Sequence, residues 1–145
     1  VNKMTRMTRD QAVAKLADGI QADLAASNTL LELLERQFDA ALRHRSAQLA
    51  ELAEQLMPAL EAMEQRRLQL VSLVRALLGP DGDMAQLIAS LAAPSRAAFA
   101  ADWHALEQMV LECKRLNARN SALLTEQFSI MQRVLNGEED TYAPR

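Results

Sequence analysis

The feature that most constrains this chain is a stretch near its C-terminal end where mostly apolar residues recur at alternating steps of four and three. This spacing places one side chain per turn on a single helix face, as the seam of a helical bundle or coiled coil requires. It predicts a long helix from about Ser95 to Asn136, ended by Asn136 and Gly137. The seam positions are Phe99, Trp103, Leu106, Val110, Cys113, Asn117, Asn120, Leu124, Gln127, Met131 and Val134.

A second stripe with the same alternation lies near the start of the chain. Thr8 and Gln11 have the spacing of a capping box, in which hydroxyl and amide satisfy free backbone donors at a helix start. A helix from about Asp10 is therefore predicted. Its seam positions are Val13, Ala17, Ile20, Leu24, Ser27, Leu31, Leu34, Phe38 and Ala41.

A third stripe follows, out of phase with the one before it. Continuing the earlier stripe would place Arg45 and Gln48 on the seam, whereas a shift of one residue, about 100° around a helix, restores apolar positions. We therefore predict a turn at about 44–46 with Ser46 as N-cap, a single continuous helix being the alternative. Gly79 and Pro80 end this segment. Its seam positions are Leu49, Ala53, Leu56, Leu60, Met63, Arg67, Leu70, Val74 and Leu77.

Two prolines and one capping pair complete the secondary-structure prediction. Pro58 removes a backbone donor inside the third stripe, so one bent helix is expected there. Asp83 and Gln86 have the capping-box spacing and predict a short helix, after which Pro94 restarts the chain. The fold class is therefore all-α, an antiparallel bundle of three long helices plus a short connecting helix with coiled-coil-like packing.

Composition agrees with one helical domain. The 145 residues are 50% hydrophobic and only 3% aromatic, and the apolar content is mostly Ala and Leu, as in long helices. This length supports one modest core, so we predict a single domain over residues 1–145. The termini, about 1–8 and 137–145, are short and polar and are expected to be flexible.

Charge and hydropathy narrow the classes of partner. A formal net charge of -3 disfavours binding to a phosphate backbone, which needs clustered Lys and Arg, so nucleic acid is not expected. The sequence contains no run of about eighteen apolar residues, so membrane insertion is not expected. The first ten residues lack the apolar stretch of a secretory signal, which predicts a cytoplasmic protein.

Catalytic, cofactor and metal chemistry are not predicted. Cys113 is the single cysteine, and His104 lies nine residues away, on the opposite face of the same helix. Cys113 is therefore interpreted as a small core residue. His104 and Glu107 lack further ligands at a suitable spacing for a metal, and no glycine-rich phosphate loop occurs. We predict that the protein is not an enzyme and holds no cofactor.

Two features of the last helix leave alternatives open. Asn117 and Asn120 place consecutive amides on the seam, either as a device that fixes helix register or as groups that meet a partner's backbone. Additional apolar residues widen the stripe, to fill a three- or four-helix core or to form an exposed groove for an amphipathic helix. The widening residues are Met109, Leu116, Leu123, Phe128, Ile130 and Leu135.

Three stretches of this sequence resemble the FlgN-type flagellar export chaperones. They are Leu30 to Gln55, Cys113 to Gly137 with its Leu-Asn-x-x-Asn core, and the pair Thr141-Tyr142. The resemblance implies a cytoplasmic helical bundle that acts as a type III secretion chaperone. It would bind the C-terminal helical segments of hook-filament junction proteins, the FlgK and FlgL type, and deliver them to the flagellar export gate.

The resemblance also implies site residues. In the family the C-terminal helix is associated with cargo binding, and a tyrosine near the C-terminus is linked to the export apparatus. Tyr142 is the one tyrosine here, although the family's usual ending, a tyrosine followed shortly by glycine, is absent. The cargo-binding positions become Leu116, Asn117, Asn120, Leu123, Leu124, Phe128, Met131 and Leu135.

A non-catalytic coiled-coil scaffold explains the same periodicity. Such a module would satisfy its apolar seams internally or against its own copy, and a homodimer would follow. Self-assembly without response to the junction-protein tails would distinguish the scaffold from the chaperone.

Overall fold

The computed structural model describes the backbone of residues 8–142 and the side chains of residues 8–136. Four helices follow one another: α1 (Arg9–Leu42), α2 (Ser46–Leu78), α3 (Met84–Ala89) and α4 (Ala93–Tyr142). No strand occurs in the described part of the chain. The predicted fold class, three long helices and a short connecting one, is confirmed.

Capping boxes start α1 and α3, as the sequence predicts. At α1 the Gln11 backbone N–H donates to Thr8 Oγ1 (3.1 Å), and the Thr8 N–H donates to Gln11 Oε1 (3.0 Å). At α3 the Gln86 N–H donates to Asp83 Oδ1 (2.8 Å), and the Asp83 N–H donates to Gln86 Oε1 (3.1 Å). Each box satisfies two backbone donors that a helix start leaves free.

A tight turn between α1 and α2 confirms the predicted hairpin. His44 has a φ of 54°, and its N–H donates to Ala41 O (3.2 Å), while the Arg45 N–H donates to Ala40 O (2.9 Å). This pair of bonds around a left-handed residue is a Schellman motif. Because the motif includes Arg45, α2 begins directly after it. The predicted N-cap is therefore wrong: Arg45 caps α2 without a side-chain bond, and Ser46 is the first helical residue.

The α2 helix continues through Pro58 and ends where predicted. Pro58 lies inside one uninterrupted helix, which confirms a single element there, while the bend stays a prediction. Gly79 follows the last residue with a φ of 98°, a value that favours glycine, and its N–H donates to Arg75 O (2.8 Å).

The last helix is longer than predicted. It begins at Ala93 and runs to Tyr142, so the expected end at Asn136 and Gly137 is wrong. A glycine inside a helix costs only about 1 kcal/mol relative to alanine, and Glu138 and Glu139 favour helix, so Gly137 permits an end without imposing one. Single-domain organisation and flexible termini stay predictions, and residues 1–7 and 143–145 lie outside those described.

The α1 helix is the centre of the bundle. It packs along both α2 and α4, whereas α2 and α4 do not approach each other closely within the described residues. The α1–α2 hairpin is antiparallel. Side-chain bonds pair Ser27, Leu34 and Ala41 of α1, in that order, with successive residues of α4, so α1 and α4 run parallel.

Two hydrophobic clusters form the core, one toward the turn and one toward α3. The buried residues of the turn-end cluster are Leu30, Leu33, Leu34, Ala40, Leu52, Leu56, Cys113 and Leu116. The buried residues of the α3-end cluster are Leu16, Ile20, Leu70, Val74, Leu87, Phe99 and Leu106.

The buried face of α1 is wider than the predicted seam, and the buried face of α2 is displaced around the helix from the predicted seam. Leu16, Leu30 and Leu33 are buried although the α1 seam did not include them, because α1 is covered from two sides. On α2, Leu52 is buried, whereas the seam residues Ala53, Leu60 and Arg67 are exposed. These differences arise because α4 does not pack closely against α2 within the described residues.

Candidate protein-binding surface

The predicted cargo-binding residues divide between the core and the surface. Leu116 and Asn120 are buried, with 3% and 1% of their surface exposed. Asn117 is exposed, and Leu123 and Leu124 are half-buried. The three positions nearest the end of α4 are largely exposed: Phe128 62%, Met131 62% and Leu135 50%.

Asn120 joins α4 to α1 through a fully used amide. Its Nδ2 donates to Leu34 O (2.7 Å) and to Gln37 Oε1 (2.9 Å), and its Oδ1 accepts from Arg119 Nε (3.1 Å). A buried amide with these partners avoids the cost of an unsatisfied polar group. Within this bundle Asn120 thus acts as a register contact, one of the two alternatives that the sequence left open.

Arg119 extends this connection at the surface of α1. Its guanidinium carbon lies 3.7 Å from the centre of the Phe38 ring, and its Nη2 lies 3.1 Å from Glu35 Oε1. The Nη2 makes no hydrogen bond, so the contact with Glu35 is an ion pair without hydrogen-bond geometry. Stacking and charge together fix the side chain beside Asn120.

Polar donors recur every seven residues along the α1–α4 contact. Cys113 Sγ lies 3.8 Å from Ser27 O, and Gln127 Nε2 donates to Ala41 O (2.9 Å), on either side of the Asn120 bond to Leu34 O. Each donor meets a carbonyl of α1, so the two parallel helices share one heptad register. Gln127 makes the last of these contacts before α1 ends at Leu42.

Beyond Gln127 the α4 helix projects past the hairpin turn; we call its described side chains, residues 128–136, the projecting end. From Phe128 to Tyr142 the helix is roughly 20 Å long at 1.5 Å per residue. A contiguous exposed apolar surface of this kind is typical of protein interaction sites. Its large apolar residues are Phe128, Ile130, Met131, Val134 and Leu135, all exposed.

The open side of the bundle contains a second apolar surface, which we call the α2–α4 groove. A cavity of about 650 Å³ lies between the two helices above α1, with Asp23 and Ser27 of α1 in its floor. A neighbouring cavity of about 300 Å³ shares Arg67, Leu70 and Trp103 with it, so the two form one continuous groove. The apolar lining residues include Met63, Leu70, Trp103, Leu106, Val110 and Leu111.

The groove floor contains a partly buried ion pair and an unpaired hydroxyl. Asp23 is buried and bonded to Arg66 of α2, so the charge that α1 places in the core is neutralised by the neighbouring helix. Ser27 is also buried, and its Oγ has no hydrogen-bond partner. The heptad spacing includes Ser27 on the α1 seam but does not predict a buried Asp23, because an acid at that position breaks the apolar pattern.

A third cavity, of about 640 Å³, separates the start of α1 from the start of α4. Arg9 Nη2 donates to Ser90 Oγ (2.7 Å), and Gln21 Nε2 donates to Asp102 Oδ2 (2.8 Å), so polar bonds bridge this cleft. The bridges connect α1 to Ser90 before α4 and to Asp102 on α4, at the edge of the α3-end cluster.

Among the described residues, the Cys113 thiol is a weak nucleophile and no cluster of metal ligands occurs. Burial raises the pKa of the Cys113 thiol, and the neighbouring Glu112 carboxylate raises it further. A raised thiol pKa reduces the thiolate fraction and therefore the nucleophilicity. No group of three or more His, Cys, Asp and Glu residues that could hold a metal occurs among the residues that the structure describes.

Across residues 8–142, none of the helices combines the length and the apolar character that a membrane span requires. Two surfaces of the described residues expose or enclose apolar side chains, the projecting end and the α2–α4 groove.

An all-helical bundle with an exposed apolar helix end has the kind of surface that is typical of helical protein-binding modules. The family model described as FlgN protein matches residues 4–137, which is nearly the whole chain. The chain therefore belongs to the FlgN family, which confirms the resemblance, and FlgN proteins are flagellar export chaperones that bind protein cargo. No curated protein and no solved structure matches the chain.

Proposed function

We propose that this chain is a cytoplasmic chaperone of flagellar type III export that binds the C-terminal helical segments of hook-filament junction proteins at the projecting end of α4. The observation that carries the proposal is the exposure of Phe128, Met131 and Leu135 at successive turns of the projecting end of α4. Spacing of three and four residues matches the anchors by which one amphipathic helix holds another.

The cargo surface proposed here is narrower than the set predicted from the sequence. Leu116 and Asn120 face α1 inside the bundle, so in this arrangement they support the cargo surface without touching cargo. Leu123 and Leu124 are half-buried where α4 leaves the hairpin, and they connect the core to the exposed stripe. The proposed contact residues are Leu123, Leu124, Phe128, Met131 and Leu135, with Asn117 at the exposed edge.

Coupled folding supplies the mechanism. A cargo tail that is disordered alone becomes helical when its apolar face packs on the stripe, which covers surfaces that would otherwise aggregate or assemble early. Ordering the tail costs roughly 2–5 kcal/mol of the gross interaction energy. The complex is therefore of moderate affinity and can be handed over at the export gate.

The mapping experiment measures anisotropy of a labelled junction-protein C-terminal segment against variants of the full chain. Leu124→Ala combined with Phe128→Ala is expected to weaken binding roughly tenfold or more, because truncated apolar anchors commonly cost over 1.4 kcal/mol. The matched control is Leu68→Ala, an exposed leucine on α2. Unchanged affinity in the double variant, with its helical circular dichroism spectrum intact, would refute the cargo surface.

Delivery to the export gate is proposed to involve Tyr142, the last residue of α4. Its place at the end of a helix that starts in the bundle would separate gate docking from cargo binding. Tyr142→Ala is therefore expected to retain affinity for the cargo segment and to reduce cargo secretion in cells. Full secretion by this variant would remove Tyr142 from the mechanism.

A further inference from the structure

We infer that the cargo helix proposed above also fills the α2–α4 groove. One amphipathic helix of about four heptads then packs along α4 from Trp103 to Met131 and contacts α2 as well. The inference rests on the proposed function and adds a second contact site to it, on the body of the bundle.

The predicted seam of α4 divides into two heptad series with different environments. The first series meets α1 and consists of Phe99, Leu106, Cys113, Asn120 and Gln127, of which the first four are buried. No member of the second series, which we call the open series, is buried. The open series consists of Trp103, Val110, Asn117, Leu124 and Met131. A bundle seam normally covers both series, so α4 has room for one more helix on this face.

The α2 helix exposes a matching series. Its seam positions Ala53, Leu60 and Arg67 are exposed, and Arg67 lines the α2–α4 groove together with Trp103 and Val110. Because Leu60 and Ala53 precede Arg67 at heptad steps, they lie on the same face of α2 and extend the groove wall toward the turn. The exposed seam positions of α2 and α4 therefore border one elongated space.

This space has the form of a vacant helix position. The α1 helix packs against both α2 and α4, while α2 and α4 stay apart, so the described residues supply three positions of a four-helix bundle. From Trp103 to Met131 the open series extends roughly 42 Å along α4. An amphipathic helix with apolar residues at alternating steps of three and four fits a space of this length.

Continuity with the projecting end favours the cargo helix as the occupant. Met131 belongs both to the open series and to the projecting end. Phe128 leaves α4 in the same direction as Val110, because the eighteen residues between them make five complete turns. A helix that packs on the exposed stripe of the projecting end thus continues into the groove on the same face of α4.

Charges at the groove rim specify the flanks of the occupant. Glu107 and Lys114 line the groove one heptad apart, both are exposed, and neither forms an ion pair within the described residues. A cargo helix with a basic residue beside Glu107 and an acidic residue beside Lys114 complements both charges. In the middle of α4 the exposed Asn117 and Ser121 face a polar or small residue of the cargo.

Emission of Trp103 reports occupancy of the groove. Trp103 is the single tryptophan, and it is half-buried in the groove wall. A four-heptad C-terminal segment of a junction protein, free of tryptophan, is expected to shift this emission to shorter wavelength at the concentrations at which it binds. A segment held only at the projecting end stays roughly 42 Å from Trp103 and leaves the emission unchanged. Unchanged emission at saturation would overturn the inference.

Leu60→Asp on α2 tests the groove with a variant outside the proposed cargo surface. The new carboxylate faces the apolar side of the occupant, so affinity for the segment is expected to fall roughly tenfold or more. The matched control is Leu68→Asp, an exposed leucine one residue past Arg67 and thus about 100° around α2 from its exposed seam positions. The control is expected to bind as wild type, with equal helical circular dichroism in both variants.

The inference and the proposed function fail in different ways. If Leu60→Asp binds as tightly as Leu68→Asp while Leu124→Ala with Phe128→Ala loses affinity, cargo contacts the projecting end alone and the inference is overturned. If neither Leu60→Asp nor the double variant loses affinity, the proposed cargo surface fails as well. The expected result is a loss in both, together with the shift in Trp103 emission.

Discussion

Asn117 and Asn120 show what single residues contribute to this fold. Both lie on the predicted seam, and both are amides, yet only Asn120 enters the interior, where it bonds to Leu34 O. The two positions are three residues apart and differ by about 60° around the helix. That angle decides between core and solvent, and it depends on where α1 packs, which heptad spacing alone does not specify.

Replacing Asn120 should measurably destabilise the bundle. Asn120→Ala leaves the Leu34 contact empty and removes the acceptor of Arg119, so the free energy of unfolding should fall by about 1–3 kcal/mol. Asn117→Ala, at the exposed amide, should change it by less than about 0.5 kcal/mol. Urea denaturation followed by circular dichroism measures both. Equal losses in the two variants would contradict the register role of Asn120.

The Cys113 thiol makes stability depend on pH in the alkaline range. Its pKa is raised in the folded state by burial and by Glu112, so folding favours the protonated thiol. The stabilisation is therefore present below the unfolded thiol pKa, about 8.5, and is lost as pH rises toward the higher folded value. The decline in unfolding free energy above pH 8.5 should be steeper for wild type than for Cys113→Ala. Parallel pH profiles would contradict this account.

At the scale of the element, residue spacings near the helix ends predicted most helix starts. Two predicted boundaries are wrong, the start of α2 and the end of α4. The capping boxes at Thr8 and Asp83 fix α1 and α3 because both partners lie within four residues. The predicted start of α2 is wrong by one residue. The Schellman turn depends on the left-handed conformation of His44, and the sequence does not predict that conformation. The end of α4 was misplaced because Gly137 is tolerated within a helix.

Pro58 offers a test of element stability. It is exposed and lies within the continuous α2 helix, where proline removes one hydrogen bond to Glu54 O. Pro58→Ala should raise the free energy of unfolding by at least about 1 kcal/mol, since proline costs about 3 kcal/mol in a helix interior and stiffens the unfolded chain. Thermal unfolding with exposed Glu61→Ala as control measures the gain. A lower melting temperature for Pro58→Ala would show that the bundle requires the proline.

For the whole molecule, the periodicity specified the helix number and the hairpin, but not the exposed surfaces. The sequence could not distinguish a wide core stripe from an exposed groove, because both place the same apolar residues on one face of the helix. The outcome depends on where the helices end: α1 ends at Leu42, and the large apolar residues of α4 from Phe128 to Leu135 are exposed among the described residues. The α2–α4 groove could not be predicted from the sequence either, because it arises from the separation of two helices that both contact α1.

The measurement that tests the central claim most directly is calorimetric titration of this protein with a synthetic C-terminal segment of a hook-filament junction protein, followed by circular dichroism of the mixture. Chaperone function predicts micromolar or tighter binding, with helical signal above the sum of the separate components, because the tail folds on α4. A folded bundle that binds no segment would contradict the account and favour the self-assembling scaffold.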